Sequence, residues 1–252
     1  MMAKIEVATD GVVREIWLAR GEKRNALDSE MLGLLTEVFA AGPSGGERVA
    51  VIRAQGPVFC AGLDLRERGG GAIGASAIET MLAAIEHYPL PVVAVVQGDA
   101  IAGGAELALH CDFVVASEGA RIGMSLARIG LAPSWFLAKK LLEVAGPVGA
   151  RELLLIGQPL SARRMARMGL IHRAVAAEDL QQTARDLVGS LAANAPLSLR
   201  AMKAVLVRAM AFREGIDHAD VDALVAAASA SADAREGIAA MLERRPPRFE
   251  GR

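Results

Sequence analysis

Short runs dominated by apolar residues alternate, over the first half of the chain, with stretches in which apolar residues recur every three or four positions. KIEVAT (4–9) and VVREIWLA (12–19) alternate or run apolar over strand lengths, and the Asp10-Gly11 pair between them predicts a hairpin turn. SEMLGLLTEVFAAG has helical spacing, with Asp28 or Ser29 as its cap and Gly42 just beyond its end. RVAVIRAQG (48–56) and PVVAVVQG (91–98) read as buried strands closed by turn residues. AIETMLAAIEHY (77–88) has helical spacing and stops before Pro89. A Gly-Gly pair then opens a helix, and DFVVAS (112–117) is the next strand. This alternation predicts α/β layers with largely parallel strands.

Past residue 134 the period is mostly helical. WFLAKKLLEVAG, PVGARELLLIG and SARRMARMG are helical segments separated by glycines, LIHRAV (170–175) is a short strand, and AEDLQQTARDLVGSLAANA is a long helix. Pro196 marks a boundary, dividing a core of residues 1–195 from an Ala-rich helical region, 196–252. Alanine on several helix faces suits close packing, within a subunit or between subunits. No clean repeat of 20–50 residues is present.

Composition narrows the class. Of 252 residues, 53% are hydrophobic but only 4% aromatic, so the core is expected to be aliphatic. A net charge of −1 with no long basic run argues against nucleic acid as a partner. No apolar run approaches a membrane span, and MMAKIEVATDG lacks the basic start and apolar stretch of a signal peptide. Two cysteines, Cys60 and Cys111, make no disulfide framework and suit a reducing compartment. The expectation is a soluble cytoplasmic protein.

Three chemical motifs fail on context. GGGAIG (69–74) matches G-x-G-x-x-G, but the polar LDLRER precedes it where a dinucleotide site requires a strand. GMSLA (123–127) approaches a nucleophile elbow, yet Ala127 replaces the second glycine and none of the four histidines falls in a triad context. No His, Cys or acid pair has metal-ligand spacing, so no metal is expected. Two glycine-bearing turns are more informative. FCAGLDL (59–65) follows one buried strand and AIAGGAEL (100–107) follows the other, so each places backbone N–H groups beyond a strand end, at a helix start. If the two strands are neighbours, two amides can converge on one oxygen, the arrangement of an oxyanion hole. Glu106 lies in the first turn of the second helix, where an acid stabilises the helix dipole with or without a catalytic duty.

Together these residues resemble the crotonase superfamily of enoyl-CoA hydratases and isomerases. LARGEKRNALDSEML is similar to its N-terminal signature, FCAGLDL to its first oxyanion turn, and VVQGDAIAGGAELALHCDFVVAS to its central motif. ARIGMSLARIGLAP and SADAREGIAAMLERRPPRFEGR are similar to the segments that follow it and end the chain. The resemblance implies a crotonase-like spiral of repeated ββα units with a C-terminal helical trimerisation region, assembled as a homotrimer or a hexamer. It implies an acyl-CoA substrate and no separate cofactor, with the thioester oxygen between the N–H groups of Leu63 and Gly103. It places CoA contacts at Lys23, Arg24, Ala26, Ala61 and Leu65, and at Arg244 reaching from a neighbouring subunit.

One departure bears on the reaction. Family hydratases carry a second glutamate twenty residues after the first, and this chain has Leu126 there, preceded by Ser125 in place of proline. A second acid found eight residues further on in some relatives is Ser134 here. Leu126 and Ser134 are expected in the acyl pocket, and Glu106 is the one strong acid/base candidate. Hydration of a 2-enoyl-CoA is the favoured reaction, with isomerisation, another thioester-enolate reaction, or acyl-CoA binding without turnover as alternatives.

Overall fold

A computed structural model describes residues 3–64, 67, 75–213 and 215–252. Strands β1 (Ile5–Asp10) and β2 (Val13–Leu18) form the predicted hairpin, in antiparallel register from Ile5 opposite Leu18 to Asp10 opposite Val13. Gly11 takes the left-handed turn position at φ 58°. Helix α1 (Ser29–Ala40) follows, capped by Asp28, whose carboxylate accepts the Met31 N–H at 2.9 Å.

Strands β3 (Val49–Ala54), β4 (Val92–Val96), β6 (Phe113–Ser117) and β9 (Arg173–Val175) complete a six-stranded sheet in the order β1-β2-β3-β4-β6-β9, parallel from β2 onward. A second sheet is made of the very short strands β5 (Ala100–Ile101), β7 (Arg121–Gly123) and β8 (Leu160–Ser161). Chain order explains the pairing. β4 lies in the first sheet, β5 in the second, and helix α3 (Gly103–Leu109) follows. β6, β7 and helix α4 (Trp135–Arg151) repeat that order. An isolated bridge between Cys60 and Ala100 extends the second sheet by a turn before helix α2 (Ala75–Glu86).

The central strands are mostly apolar because both faces are covered, Arg53 of β3 being the charged exception, which donates to Glu15 and Gln181. Ile52, Ala94, Val96 and Ala116 face the main core, whereas Val49, Val51, Val93, Val95 and Val115 pack on Leu180, Ala184, Val188 and Leu191 of α6 (Leu180–Ala192). Each such valine, leucine or isoleucine, removed from water, contributes about 1.5–3 kcal/mol.

The segments WFLAKKLLEVAG and PVGARELLLIG are, as expected, helical pieces separated by a glycine: the range α4 is broken at Gly146 (φ 62°, ψ 178°), where Pro147 also removes a backbone donor. One expectation changes in detail. LIHRAV contributes only Arg173–Val175 to a strand. Beyond α5 (Ala162–Arg167) and α6, helices α7 (Pro196–Met210), α8 (Ala219–Ala230) and α9 (Ala232–Glu243) complete the described chain. α9 packs on the turn at 126–129, burying Ala234, Gly237 and Ala240. α7 is pinned by one buried cation: Lys203 Nζ donates to Asp112 Oδ2 at 2.6 Å and to the Leu90 carbonyl at 3.1 Å. No described helix is long and apolar enough to cross a membrane.

Candidate active site

The two glycine-bearing turns meet, as neighbouring parallel strands require. Cys60 N–H donates to the Asp99 carbonyl at 3.2 Å, and Ile101 N–H donates to the Cys60 carbonyl at 3.0 Å. Contact this close needs missing side chains. A Cβ on Gly62 (φ 90°) would stand 2.8 Å from the Ile101 oxygen and 3.2 Å from the Gly103 nitrogen. One on Gly104 would stand 2.2 Å from the Cys60 oxygen. Only glycine fits either place.

Among the described residues the backbone pairing of the two turns passes over one amide in each. Leu27 N–H donates to the Gly62 carbonyl at 2.8 Å, and the Leu27 carbonyl accepts Asp64 N–H at 2.8 Å, so the pairing steps over Leu63. Gly103 is the first residue of α3, where an N–H has no partner within the helix. Among the described residues neither the Leu63 nor the Gly103 amide donates to a backbone carbonyl. Ala102 directs the second amide. It is the N-cap residue at φ 49°, ψ −119°, a conformation that costs a side-chain-bearing residue about 1–3 kcal/mol, held by its own N–H on the Gly123 carbonyl at 2.8 Å.

Both turns open on a cavity of about 200 Å³. Glu106, one turn along α3 and only 5% exposed, lines it. Leu126 (8% exposed), Ser125 and Ser134 line it too, so the position of the missing family acid is at the site and is apolar. Ser134 is also the N-cap of α4. No histidine lines the cavity among the described residues, which leaves Ser125 without a triad base.

Behind α3 lies His110, 3% exposed and stacked on Phe136 at 5.4 Å between ring centroids. Its Nδ1 faces the Glu106 carbonyl oxygen at 2.8 Å, so that nitrogen carries the proton. Burial, with Lys140 nearby, pushes the His110 pKa down to about 4 and keeps the ring neutral.

The remaining sequence candidates fall into three groups. Ala61 lines the cavity, and its N–H donates to the Arg24 carbonyl at 3.0 Å, which sets Lys23, Arg24 and Ala26 beside the first turn. Lys23 and Arg24 are exposed there. Arg244 is also exposed, in a left-handed cap three residues past Met241, and does not line the cavity. Leu65 and the GGGAIG loop lie outside the described residues.

Several site residues escape sequence reading. Asn25, fully buried at φ 52°, accepts Arg20 N–H and donates to the Gln55 and Val58 carbonyls, holding the 24–26 turn against the first hole turn. The Cys60 thiol donates to the Asn25 carbonyl at 3.1 Å, and burial pushes its pKa up to about 12, so it stays protonated. An isolated αL-tolerant Asn after Arg24 was the only signal for this turn. Val225, Ser229 and Met241, from α8 and α9 of the same chain, close the cavity, as does Glu79 of α2. No local pattern marks these four, because only the tertiary fold brings them together.

The enoyl-CoA hydratase/isomerase family model matches residues 8–252. A protein of Thermus thermophilus, by name a candidate enoyl-CoA hydratase, is 36% identical over 95% of this chain and 98% of its own length. The 2,3-dehydroadipyl-CoA hydratase of Escherichia coli is 31% identical, with 100% of each chain covered. In fold, the chain is similar to a crystal structure of methylmalonyl-CoA decarboxylase complexed with 2S-carboxypropyl-CoA, at TM-score 0.91 and 24% identity over 100% of both chains. On a family match spanning all but the first few residues, and on relatives above 30% identity across nearly their whole length, the chain belongs to the enoyl-CoA hydratase/isomerase family, the crotonase superfamily.

Proposed function

We propose that the protein adds water to a 2-enoyl-CoA, or removes it in reverse, with the thioester oxygen held by Leu63 and Gly103 N–H and with Glu106 moving a proton at the acyl carbons. The observation that carries this reading is the convergence of both turns and the Glu106 helix on one small cavity. Two fixed donors bind the oxygen more tightly as negative charge develops on it, and removing one such donor typically costs about 3–4 kcal/mol. Polarising the thioester makes the β-carbon electrophilic and stabilises the enolate formed when hydroxide adds there. Addition of water transfers no electrons, so the reading needs no cofactor beyond the coenzyme A of the substrate. The Escherichia coli relative, a hydratase by name, supports hydration over isomerisation.

The CoA moiety would run past Lys23, Arg24 and Ala26, and past Ala61 and Leu65, with Leu126 and Ser134 against the acyl group. Arg244 would serve the site of a neighbouring subunit. In this reading residues 1–195 form the spiral core, and residues 196–252 build a trimer, alone or paired as a hexamer, in the cytoplasm. The exposed apolar side chains of α7, Leu197, Met202, Val205 and Leu206, support an oligomer.

Incubation with crotonyl-CoA should remove its conjugated absorbance, and Glu106→Gln should lower kcat by about 10²–10⁴-fold while acyl-CoA binding persists. A gain of conjugation from a 3-enoyl-CoA would identify an isomerase instead. Binding without either change, and without exchange of α-protons, would identify a non-catalytic protein.

A further inference from the structure

Hydration moves two protons: one leaves the attacking water and one arrives at the α-carbon. Leu126 can do neither, and the hydroxyls of Ser125 and Ser134 are poor proton donors at neutral pH. Of the described residues lining the cavity, only two carry ionisable side chains, Glu106 and Glu79.

Glu79 arrives from a different element. It lies on α2, next to Ile78, whose Cδ1 stands 2.9 Å from where a Cβ on Gly103 would be. This stretch of α2 is therefore packed on the turn that presents the second amide. Glu79 is half-buried, and it also faces an adjoining cavity bordered by Ser134, Trp135 and Lys139. Among the described residues no hydrogen bond or ion pair engages its carboxylate. A helix-surface acid serving stability alone gains most from a nearby cation or a first-turn amide. Among the described residues Glu79 pairs with neither, although Lys139 borders the adjoining cavity, and Glu79 borders the space a substrate would fill.

We propose that Glu79 is the second proton-transfer carboxylate of the site, supplying from α2 what the family position at Leu126 lacks. The proposal rests on the hydratase reading above. As the water oxygen bonds to the β-carbon, one carboxylate of the pair takes a water proton, and the carbon–carbon π electrons move toward the thioester to give the enolate. The other group, as a neutral carboxylic acid, then gives its proton to the α-carbon while the enolate reverts to the thioester. One water is consumed, nothing is oxidised or reduced, and the two carboxyl groups regain their starting protonation through solvent.

The test compares Glu79→Gln, Glu79→Asp and Glu106→Gln with the unaltered protein. Readouts are hydration of crotonyl-CoA, deuterium exchange at the α-carbon of butyryl-CoA, butyryl-CoA binding and thermal midpoint. Glu79→Gln should lose at least about 10²-fold in kcat. Its butyryl-CoA affinity and midpoint should stay near those of the unaltered protein, Glu79→Asp should recover part of the rate, and one limb of the pH–rate profile should vanish. Hydration by Glu79→Gln within about threefold of the unaltered protein, on the scale of that expected loss, would overturn the proposal. So would loss of folding in both Glu79 variants, which would mark a structural role. If the unaltered protein hydrates nothing, the hydratase reading fails separately, and α-proton exchange decides on Glu79. Exchange lost in Glu79→Gln with binding intact supports it; exchange unchanged, or absent from the unaltered protein, overturns it.

Discussion

Ala102 holds a backbone conformation that glycine adopts freely and alanine does not, at the residue that aims the Gly103 amide into the cavity. Replacing alanine by glycine normally destabilises by about 0.5–1 kcal/mol, because the unfolded chain gains freedom. At this position the relieved strain is of equal or larger size. Ala102→Gly should therefore unfold in urea at a midpoint no lower than that of the unaltered protein, with stability higher by up to about 1 kcal/mol. A loss of about 1 kcal/mol would show that Ala102 is not strained. Nothing in the local sequence announces this, since alanine gives no sign of a positive φ. The flanking glycines did: Gly62 and Gly104 are legible because a turn between buried strands has few other reasons to carry them. Glu106 was legible by its place in the helix. Glu79 was not, because an acid in AIETML reads as one more polar position on an amphipathic helix.

At the scale of the element, α3 is seven residues long and every one of them is buried. Its position depends on what packs behind it, and His110 at its C-terminal cap is the weak point in acid. The ring is surrounded by Lys139, Lys140, Glu86 and Phe136, with its Nδ1–H on the Glu106 carbonyl. Its pKa in the folded protein lies at about 4, below the unfolded value of 6.5, so the unfolded chain binds the extra proton first as pH falls. The contribution is fully present above pH 6.5 and is lost between there and about 4, on the order of 3 kcal/mol. Glu86 adds to the acid loss at lower pH: burial raises its pKa, but Lys140 more than offsets this and holds it below the usual range. Unfolding free energy measured from pH 7 to pH 4 should fall steeply in the unaltered protein and less steeply in His110→Gln. Equal slopes would remove His110 from the account. The long elements were legible because their hydrophobic periods run for ten residues or more or are bounded by clear turns. The second sheet was not: strands of two or three residues are too short to show a period, and their partners lie far along the chain.

At the scale of the whole molecule, α7 presents Leu197, Met202, Val205 and Leu206 to solvent, each more than 60% exposed, while its single buried side chain is Lys203. A helix attached to its own core by a cation and showing its apolar side outward fits a subunit interface. If α7 forms the proposed subunit interface, Leu206→Asp should shift the sedimenting mass from an assembly to a single chain; an unaltered mass would remove α7 from such an interface. The Ala-rich composition after Pro196 foretold close helix packing but not how it is shared. α9 packs on its own core, and α8 and α9 wall their own cavity, while α7 and α8 both show apolar side chains outward, Leu224 of α8 among them. That division has a consequence for the order in which the molecule is made. The two amides and Glu106 are synthesised in the first half of the chain, whereas Val225, Ser229 and Met241 emerge near its end. A nascent chain can form the turns and the Glu106 helix long before the wall beside them exists. The wall of the site is therefore added after the groups it encloses, and it is held there by the packing of Ala234, Gly237 and Ala240 of α9 on the 126–129 turn.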